Sequence, residues 1–427
     1  MQKTFTIGLL GCGNIGEAVA LELLANKNPS LKLKKAFVKD LNKKRNIANS
    51  FLTNNADEIL NDPEINLIIE VLGGEEPALG FVIKALQNKK HLVTANKELI
   101  AKHGPQIFET AFQNSVQVRL DATVGGGIPI INTILDSLKA NEITEVVGIL
   151  NGTTNYILTQ MKRGHSFELA LKEAQEKGYA EPDPTNDLEG IDAKYKISIL
   201  ASLAFGNYIS PSQVFCQGIK DISVLDFNLA KELGFSIKLL GVAKKLNKDE
   251  IKVKVYPCLI PAKKPLAKID DVLNAILVRG DLIQELLLVG SGAGAKPTSS
   301  AILGDVLSIQ KLADSTQSYL PYKINSLIKP NQGVEHNYRF YVRLIVDDQV
   351  GVIRDLGNVL AKNNISLESI SQKAYNDENI EHNNQTEEAT LTFLTHEVSE
   401  NDFELALREV KILKPIREIA CILRVFE

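Results

Sequence analysis

The fold of the N-terminal part of the chain is decided by residues 5–16, FTIGLLGCGNIG. Phe5–Leu10 is predicted to be a buried strand, because it is a short apolar run followed by the helical pattern EAVALELLANK. Between strand and helix, Gly11 permits a tight turn, Gly13 lets the backbone approach a pyrophosphate, and Gly16 lets the helix pack on the strand. The stretch therefore predicts a Rossmann dinucleotide-binding domain. The residues expected to contact the dinucleotide at the positive end of this helix are Gly11, Gly13, Asn14, Ile15 and Gly16.

The next strands are predicted at Leu31–Val38, Asn66–Leu72, His91–Ala95 and Val116–Leu120. Ligands of a parallel sheet lie at the carboxyl ends of its strands, so Lys39, Gly73 and Lys97, each close behind a strand, are candidate contacts. A cation at Lys39 favours the 2′-phosphate of NADP, whereas Asp40 favours the 2′-hydroxyl of NAD. The sequence leaves both cofactors open, with a lean to NADP. Lys39 and Lys97 are explained equally well as ordinary lysines at helix starts.

Three loops offer further polar or backbone contacts. The consecutive glycines in DATVGGGIP, residues 121–129, leave carbonyls unshielded, so this loop either holds a hard cation or serves as a hinge. The segment GSGAGAKPT, residues 290–298, precedes a helix expected to begin near Ser299 and is a second place where backbone can approach a ligand. After a strand at Ile143–Leu150, NGTTNY is interpreted as the cap of the following helix rather than as a substrate contact.

The stretch Gly178–Lys196 is the strongest candidate for a catalytic site. Pro182 and Pro184 exclude regular structure in its first half and predict a fixed loop that carries carboxylates, among them Glu181, Asp183 and Asp187. Its second half is predicted to be a helix with Asp192 and Lys196 at the head of an apolar stripe. This pair is either a solvated ion pair or part of an acidic cleft that holds an amino group and manages one proton.

The remaining chain divides into a β-rich part and a small C-terminal unit. Strands are predicted at Ile237–Ala243, Ile251–Leu259, Val272–Val278 and Ile283–Val289, in a sheet packed against the carboxylate-bearing helix. A polar linker is expected at Ser326–His336. Beyond it the elements follow the order βαββαβ, with a hairpin loop at Asn376–Glu388, and this order predicts a ferredoxin-like domain. The fold class is therefore α/β with an added α+β part.

Composition excludes several classes of protein. A chain of 427 residues forms two or three domains, and a net charge of −4 with a pI near 6.0 argues against binding to nucleic acid or to anionic membranes. The sequence has no apolar run of membrane-spanning length and no secretory leader, so a cytoplasmic location is expected. The cysteines, Cys12, Cys216, Cys258 and Cys421, are far apart and are interpreted as reduced, buried thiols.

The motifs, in their order and spacing, resemble those of homoserine dehydrogenases over essentially the whole chain. They are GLLGCGNIG, TANKELIA, DATVGGGIPII, GILNGTTNYILT, GYAEPDPTNDLEGIDAKYK and GSGAGAKPTSSA. The fifth motif is highly specific, whereas the first is weak evidence alone. The C-terminal part resembles an ACT domain, the amino-acid-sensing module of one class of these enzymes.

The resemblance implies NAD(P)H-dependent, reversible reduction of L-aspartate 4-semialdehyde to L-homoserine, in the route to threonine, methionine and isoleucine. It implies that Lys196 is the acid/base group, that Asp192 orients the substrate and that Lys97 lies between nicotinamide and substrate. The implied substrate-binding residues are Glu181, Asp187, Thr153 and Tyr179. The implied cofactor contacts include the backbone of Gly178 and Gly294. The carbonyls of Asp121, Val124, Gly126 and Ile128 would bind a monovalent cation such as Na⁺.

The resemblance also implies a domain organisation and a homodimer. The predicted parts are residues 1–130 for NAD(P) binding, 131–290 for substrate binding and dimerisation, 291–328 for a segment returning to the first domain, and 337–427 for the ACT-like domain. Val350 stands where the ACT pattern usually has proline, a departure that concerns effector binding rather than the fold. Threonine inhibition is therefore a hypothesis. The alternatives are another Rossmann oxidoreductase acting on an amino-acid-derived aldehyde, and a non-catalytic amino-acid sensor, which would have no use for the Asp192–Lys196 pair.

Overall fold

The computed structural model describes residues 4–247, 250–313, 337–374 and 388–426. Its first sheet consists of β1 (Phe5–Leu10), β2 (Leu31–Phe37), β3 (Leu52–Thr53), β4 (Leu67–Glu70), β5 (His91–Thr94) and β6 (Val118–Arg119). All pairings in this sheet are parallel, in the order β3-β2-β1-β4-β5-β6. Because this is the order of a Rossmann sheet, the predicted fold of the N-terminal part is confirmed.

Helices cover both faces of this sheet, which explains why β1 is a continuous apolar run. They are α1 (Asn14–Leu24), α2 (Asp57–Leu60), α3 (Ala78–Gln87), α4 (Lys97–Gln113) and, from much later in the chain, α11 (Ala295–Ala313). Ile302, Val306 and Ile309 of α11 are fully buried in one core with Ile7 of β1 and Val19 of α1. Helix α11 therefore packs on the first sheet.

The start of α11 differs from the prediction. The helix begins at Ala295 rather than near Ser299, so that Pro297 lies in its first turn. Proline is tolerated there because the first N–H groups of a helix have no intrahelical acceptor. The glycine-rich segment is thus shorter than the sequence suggested and ends at Gly294, whose φ is +116°.

The second sheet is mixed and joins the middle of the chain to its C-terminal unit. Its strands from the middle part are β7 (Ile143–Ile149), β8 (Phe215–Cys216), β9 (Phe235–Asn247), β10 (Glu250–Pro261), β11 (Leu273–Gly280) and β12 (Gln284–Ser291). The order is β12-β11-β7-β9-β10, and β8 pairs with β10. The predicted strands are confirmed, and β9 and β10 extend beyond their predicted ends as a long antiparallel pair.

The helices of the middle part are α5 (Ile130–Asn132), α6 (Gly152–Lys162), α7 (Phe167–Glu176), α8 (Thr185–Leu188), α9 (Ile191–Phe205) and α10 (Val224–Glu232). Helix α9 lies between the second sheet and α4. A Cβ added at Gly241 of β9 would be 3.1 Å from the Cβ of Ile197, so the helix and the sheet are in close contact. The predicted packing of α9 on the sheet is confirmed, and α4 buries its other side.

The C-terminal unit has the predicted βαββαβ order. Its elements are β14 (Phe340–Asp347), α12 (Val352–Lys362), β15 (Leu367–Ala374), β16 (Glu388–Thr395), α13 (Glu400–Lys411) and β18 (Ile416–Val425), with the short pair β13 (Asn337–Tyr338) and β17 (Val398–Ser399). Its strands continue the second sheet in the order β18-β14-β16-β15, because β18 pairs in parallel with β10. The predicted linker and, apart from Glu388, the predicted hairpin loop lie outside the described residues.

Candidate active site

The predicted nucleotide turn has three structurally different glycines. Gly11 has a φ of +100°, which favours glycine. A Cβ added at Gly16 would be 2.1 Å from the carbonyl oxygen of Gly11, so the helix and the turn are in contact. A Cβ added at Gly13 would meet no atom within 4 Å. The backbone at the start of α1, where Asn14 and Ile15 follow, is therefore open to a ligand.

Arg45 joins this turn to the end of β2. Its Nε donates to the carbonyl of Cys12 at 3.0 Å, and its Nη1 donates to the carbonyl of Asp40 at 2.9 Å. Lys39, which directly precedes Asp40, is exposed. Two cations thus lie close to the place where the ribose of a dinucleotide is recognised in this fold.

A buried network fixes the ends of β4 and β5. Asn96 caps α4 by accepting a hydrogen bond from Leu99 N at 3.1 Å, and its Nδ2 donates to the carbonyl of Gly74 at 2.7 Å. The carboxylate of Glu70 accepts from Thr94 Oγ1 at 2.6 Å and from Leu72 N at 2.8 Å. This network holds the turn after Gly73 against the first residue of α4, Lys97.

Two ammonium groups contact the carboxylate of Asp192. Lys196 Nζ donates to its Oδ2 at 2.6 Å and to the carbonyl of Leu150 at 2.8 Å. Lys97 Nζ lies 2.9 Å from its Oδ1. The exposed fractions of Asp192 and Lys196 are 7% and 8%, so the interpretation of this pair as a solvated ion pair is wrong.

Asn151 is a further member of the site. Its Oδ1 accepts from Thr154 N at 2.8 Å, which confirms the predicted cap of α6. Its Nδ2 donates to Asp187 at 2.7 Å and to Asp192 at 2.9 Å, a role that the sequence analysis missed. The signal was present in the position of Asn151 at a strand end, but capping alone was a sufficient explanation for it.

The loop before α9 lies over a cavity of about 400 Å³. Thr153 Oγ1 donates to the carbonyl of Tyr179 at 2.6 Å and so ties the loop to α6. The loop is not wholly irregular as predicted, since the single turn α8 follows Pro184 directly. The residues that line the cavity include Gly73, Lys97, Gly178, Tyr179, Glu181, Asp187 and Asp192. Lys196 lies behind Asp192 and reaches the carbonyl of Leu150.

The charges in this cavity influence one another. Burial acts to raise the pKa of Asp192, but the ammonium groups of Lys196 and Lys97 outweigh it and hold that pKa well below its usual range. The charge of Asp192 raises the pKa of Lys97 in turn. Burial raises the pKa of Asp187, although the hydrogen bond from Asn151 opposes this shift. The site therefore keeps Asp192 ionised between two cations.

The two glycine-rich segments contact each other. Gly127 N donates to the carbonyl of Ser291 at 2.9 Å, and a Cβ added at Gly126 would be 2.6 Å from the carbonyl oxygen of Gly292. The side chain of Asp121 accepts from Ile131 N at 2.8 Å, so it holds the start of α5. Within the described ranges, no group of three or more His, Cys, Asp or Glu side chains is arranged to hold a metal ion.

Two further predictions concern the cysteines and membrane-spanning segments. Cys12, Cys258 and Cys421 are buried as predicted, whereas Cys216 is half-buried, and all are free thiols. In the described residues, no helix is both long enough and apolar enough to cross a membrane.

An open pyrophosphate turn and a cavity with an acidic loop and two ammonium groups define an NAD(P)-dependent oxidoreductase. Family models described as homoserine dehydrogenase and as its NAD binding domain match residues 129–307 and 11–121. The chain therefore belongs to the homoserine dehydrogenase family. It is an enzyme, and both alternatives, a non-catalytic amino-acid sensor and a different Rossmann oxidoreductase, are excluded.

Individual relatives agree over the full length. The homoserine dehydrogenases of Synechocystis sp. and Helicobacter pylori are 39% and 38% identical to this chain, and each alignment covers 99% of both proteins. The crystal structure of a homoserine dehydrogenase from Thiobacillus denitrificans matches with a TM-score of 0.89 at 35% identity and covers 100% of both chains. The crystal structure of a putative homoserine dehydrogenase from Archaeoglobus fulgidus matches with a TM-score of 0.65 at 31% identity. This match covers 72% of this chain and 99% of the Archaeoglobus chain.

Proposed function

We propose that the cavity beside α9 binds L-aspartate 4-semialdehyde and that Lys196 gives a proton to its aldehyde oxygen. The observation that carries this proposal is the pair of ammonium groups on the two oxygens of one buried carboxylate, Asp192. A positioned ammonium group stabilises a developing alkoxide and protonates it. Asp192 orients the substrate, and its charge raises the pKa of Lys97.

The acidic loop supplies the complementary end of the cavity. Glu181 and Asp187 would hold the α-amino group of the substrate, because both line the cavity and a carboxylate pairs with an ammonium ion. Thr153 and Tyr179 support this loop through their hydrogen bond. The substrate would thus lie with its amino group toward the loop and its aldehyde toward Asp192 and the lysines.

The cofactor would lie along the open turn at Gly11, Gly13, Asn14, Ile15 and Gly16, with further contacts at Gly73, Gly178 and Gly294. When bound, it supplies the hydride that reduces the aldehyde carbon. The residues of the turn fit a pyrophosphate, since the backbone at Gly13 is open. Lys39 and Arg45 favour NADPH over NADH, because both are cations near the ribose position.

Lys97 is a second candidate for the proton donor, because it lines the cavity whereas Lys196 lies behind Asp192. The test measures oxidation of NADPH and NADH with L-aspartate semialdehyde by wild type, Lys196→Ala and Lys97→Ala. Lys84→Ala is the control, since this lysine of α3 has a side chain that is 41% exposed and pairs with Asp57. Lys196→Ala is expected to lower kcat by about 10²–10⁴-fold while NADPH binding is retained. Near-normal turnover of Lys196→Ala, with turnover lost in Lys97→Ala, would assign the donor to Lys97.

Cofactor preference has a separate test. Lys39→Ala should lower kcat/KM for NADPH and leave that for NADH nearly unchanged, because only NADPH carries the 2′-phosphate. Equal losses with the two cofactors would contradict the preference for NADPH.

A monovalent cation is proposed at the carbonyls of Asp121, Val124, Gly126 and Ile128. The side chain of Asp121 is already used at the start of α5, which leaves its carbonyl for this role. Carbonyl oxygens are ligands that hard cations prefer. Exchange of Na⁺ for a bulky organic cation at constant ionic strength should lower both activity and melting temperature, and no change in either would remove the cation.

The C-terminal unit is proposed to be an ACT domain that binds threonine or another amino acid, and the protein is proposed to be a cytoplasmic homodimer. The βαββαβ order supports the ACT assignment. Exposed apolar side chains on the edge hairpin β11–β12, Leu282 and Val289, support association there. A threonine titration that changes neither activity nor melting temperature would contradict the effector, and a monomer in light scattering would contradict the dimer.

A further inference from the structure

A second cavity, of about 250 Å³, lies where the C-terminal unit meets the middle sheet. One wall is formed by alternate residues of β9 and β10 and by Arg279 of β11, and it includes Lys244, Lys252 and Lys254. The other wall is formed by β13, Arg339 and the last residues of β18. None of the residues proposed above for substrate or cofactor lines it, so it is a separate cavity.

A partly buried cluster of cations, two of which line this cavity, surrounds Glu400. Lys254 Nζ lies 2.7 Å from Glu400, Arg424 Nη2 lies 2.8 Å from it, and Lys252 Nζ lies 3.4 Å from it. In the part of the chain that the structure describes, these three positive charges share this one carboxylate. Lys252 and Lys254 also lie over the ring of Tyr338, at 5.3 and 5.6 Å from its centre. Buried charges of one sign are unfavourable unless partners compensate them.

The charge of the whole lining has the same sign. Lys244, Lys252, Lys254, Arg279 and Arg339 line the cavity together with Glu145 and Glu397. Arg279 pairs with Glu145 and Glu285, and Arg339 pairs with Glu368. The uncompensated charge is therefore the excess of two at Glu400, where Lys252, Lys254 and Arg424 share one carboxylate. Burial lowers the pKa of Lys254 to about 8, and the charges of Arg424 and Lys252 act in the same direction while Glu400 opposes them. An anion in the cavity would compensate the excess positive charge.

We propose that this cavity is a binding site for a small dianion, carrying either a phosphate or two carboxylates, that bridges the middle sheet and the C-terminal unit. Lys252 and Lys254 would donate charge-assisted hydrogen bonds to it from β10, and Arg339 would do so from the C-terminal unit. The volume accommodates a phosphate or a short dicarboxylate, since a water molecule occupies about 30 Å³. A bound dianion would tie the two parts of the second sheet together.

The test is binding of inorganic phosphate and of succinate to the full-length protein, by calorimetry and by melting temperature, at constant ionic strength with the nucleotide site saturated. K252Q/K254Q is compared with K27Q/K362Q, which removes the same charge from lysines whose side chains are 72% and 70% exposed. K252Q/K254Q should raise Kd for the bound anion about tenfold or more, because hydrogen bonds to charged groups are lost. K27Q/K362Q and the charge-conserving K254R should bind as wild type does.

The two anions distinguish the chemistry. Tighter binding of phosphate assigns a phosphorylated ligand, and tighter binding of succinate assigns a dicarboxylate. The proposal is overturned if neither anion binds at millimolar concentration, or if both bind equally well to K252Q/K254Q. A lower melting temperature of K252Q/K254Q without anion, combined with an unchanged anion response, would likewise overturn it and show that the lysines only support Glu400. Binding is the readout throughout, so the result does not depend on turnover.

Discussion

At the scale of single residues, Asn151 connects helix capping to the chemistry of the site. One side-chain oxygen caps α6, and the nitrogen of the same amide holds Asp187 and Asp192 in fixed positions. An aspartate would satisfy the cap but provide no donor, whereas serine would satisfy the cap without adding charge. The two functions of Asn151 can therefore be separated by substitution.

Asn151→Asp is expected to fold with nearly unchanged stability of α6 and to lose about ten- to hundredfold in kcat/KM, since hydrogen bonds to charged groups contribute about 1.5–3 kcal/mol. The added negative charge beside two carboxylates increases the loss. Asn151→Ser, which adds no charge, should lose less. Steady-state kinetics with helix content from circular dichroism measure both effects, and full activity of Asn151→Asp would contradict the positioning role.

Asp187 is expected to make substrate binding depend on pH. Only the ionised carboxylate attracts the substrate ammonium group, and burial raises the pKa of Asp187 above its usual 3.8. As the pH is lowered, the KM for homoserine should therefore begin to rise at a higher pH than it would if this carboxylate had the pKa of an exposed aspartate. Asp187→Asn should show a higher KM and lack this rise. If the rise in KM persists in Asp187→Asn, another group titrates.

At the scale of elements, the end of β4 depends on a buried acid. Glu70 is fully buried, and burial raises its pKa although hydrogen bonds from Thr94, Asn96 and the backbone of Leu72 and Gly73 oppose the shift. Because the folded-state pKa lies above the unfolded value of 4.5, the folded state binds this proton more tightly. The contribution of Glu70 to stability is therefore present below the unfolded pKa and is lost as pH rises through the folded pKa.

Glu70→Gln removes this titration and keeps an oxygen to accept from Leu72 N. The stability of the variant relative to wild type should thus increase from about pH 5 to about pH 8, because only wild type loses stability as the pH rises. Urea unfolding at both pH values measures the difference. A constant difference between the two proteins would show that Glu70 does not titrate in this window.

At the scale of the whole molecule, a buried ion pair fastens the C-terminal unit to the middle part. Asp226 of α10 is fully buried and accepts from Arg343 Nε at 2.8 Å, Arg343 Nη2 at 3.1 Å and Tyr341 Oη at 2.8 Å. Both donors come from β14. Together with the pairing of β10 and β18, this contact makes the second sheet continuous across both parts.

Arg343→Ala should lower the free energy of unfolding by about 3–5 kcal/mol, because it leaves a buried carboxylate without its charge partner. The control is Arg417→Ala, which removes a partly exposed arginine paired with Asp347 and Glu388 on the same unit and should cost less than about 1 kcal/mol. Denaturant unfolding compares the two variants. Equal losses would mean that Asp226 finds another partner.

Much of the fold was predictable because the elements are decided by local patterns. The glycine turn after β1, the continuous apolar strands of the Rossmann sheet and the βαββαβ order each lie within a short stretch. The errors were also local: α11 begins at Ala295, because a proline in the first turn of a helix is tolerated, and α8 forms directly after Pro184. The domain boundaries and the roles of the site residues stay predictions.

The sequence by itself determined the family, the Rossmann turn and the presence of Asp192 and Lys196 one helical turn apart, since these depend on residues close together in the chain. Only the tertiary structure decided that Lys97 completes this pair, that Asn151 bridges Asp187 and Asp192, and that the two glycine-rich segments touch. It likewise decided that three cations meet at Glu400. Each of these contacts joins residues distant in sequence, and their spacing carries no periodic signal, because packing of whole elements brings them together.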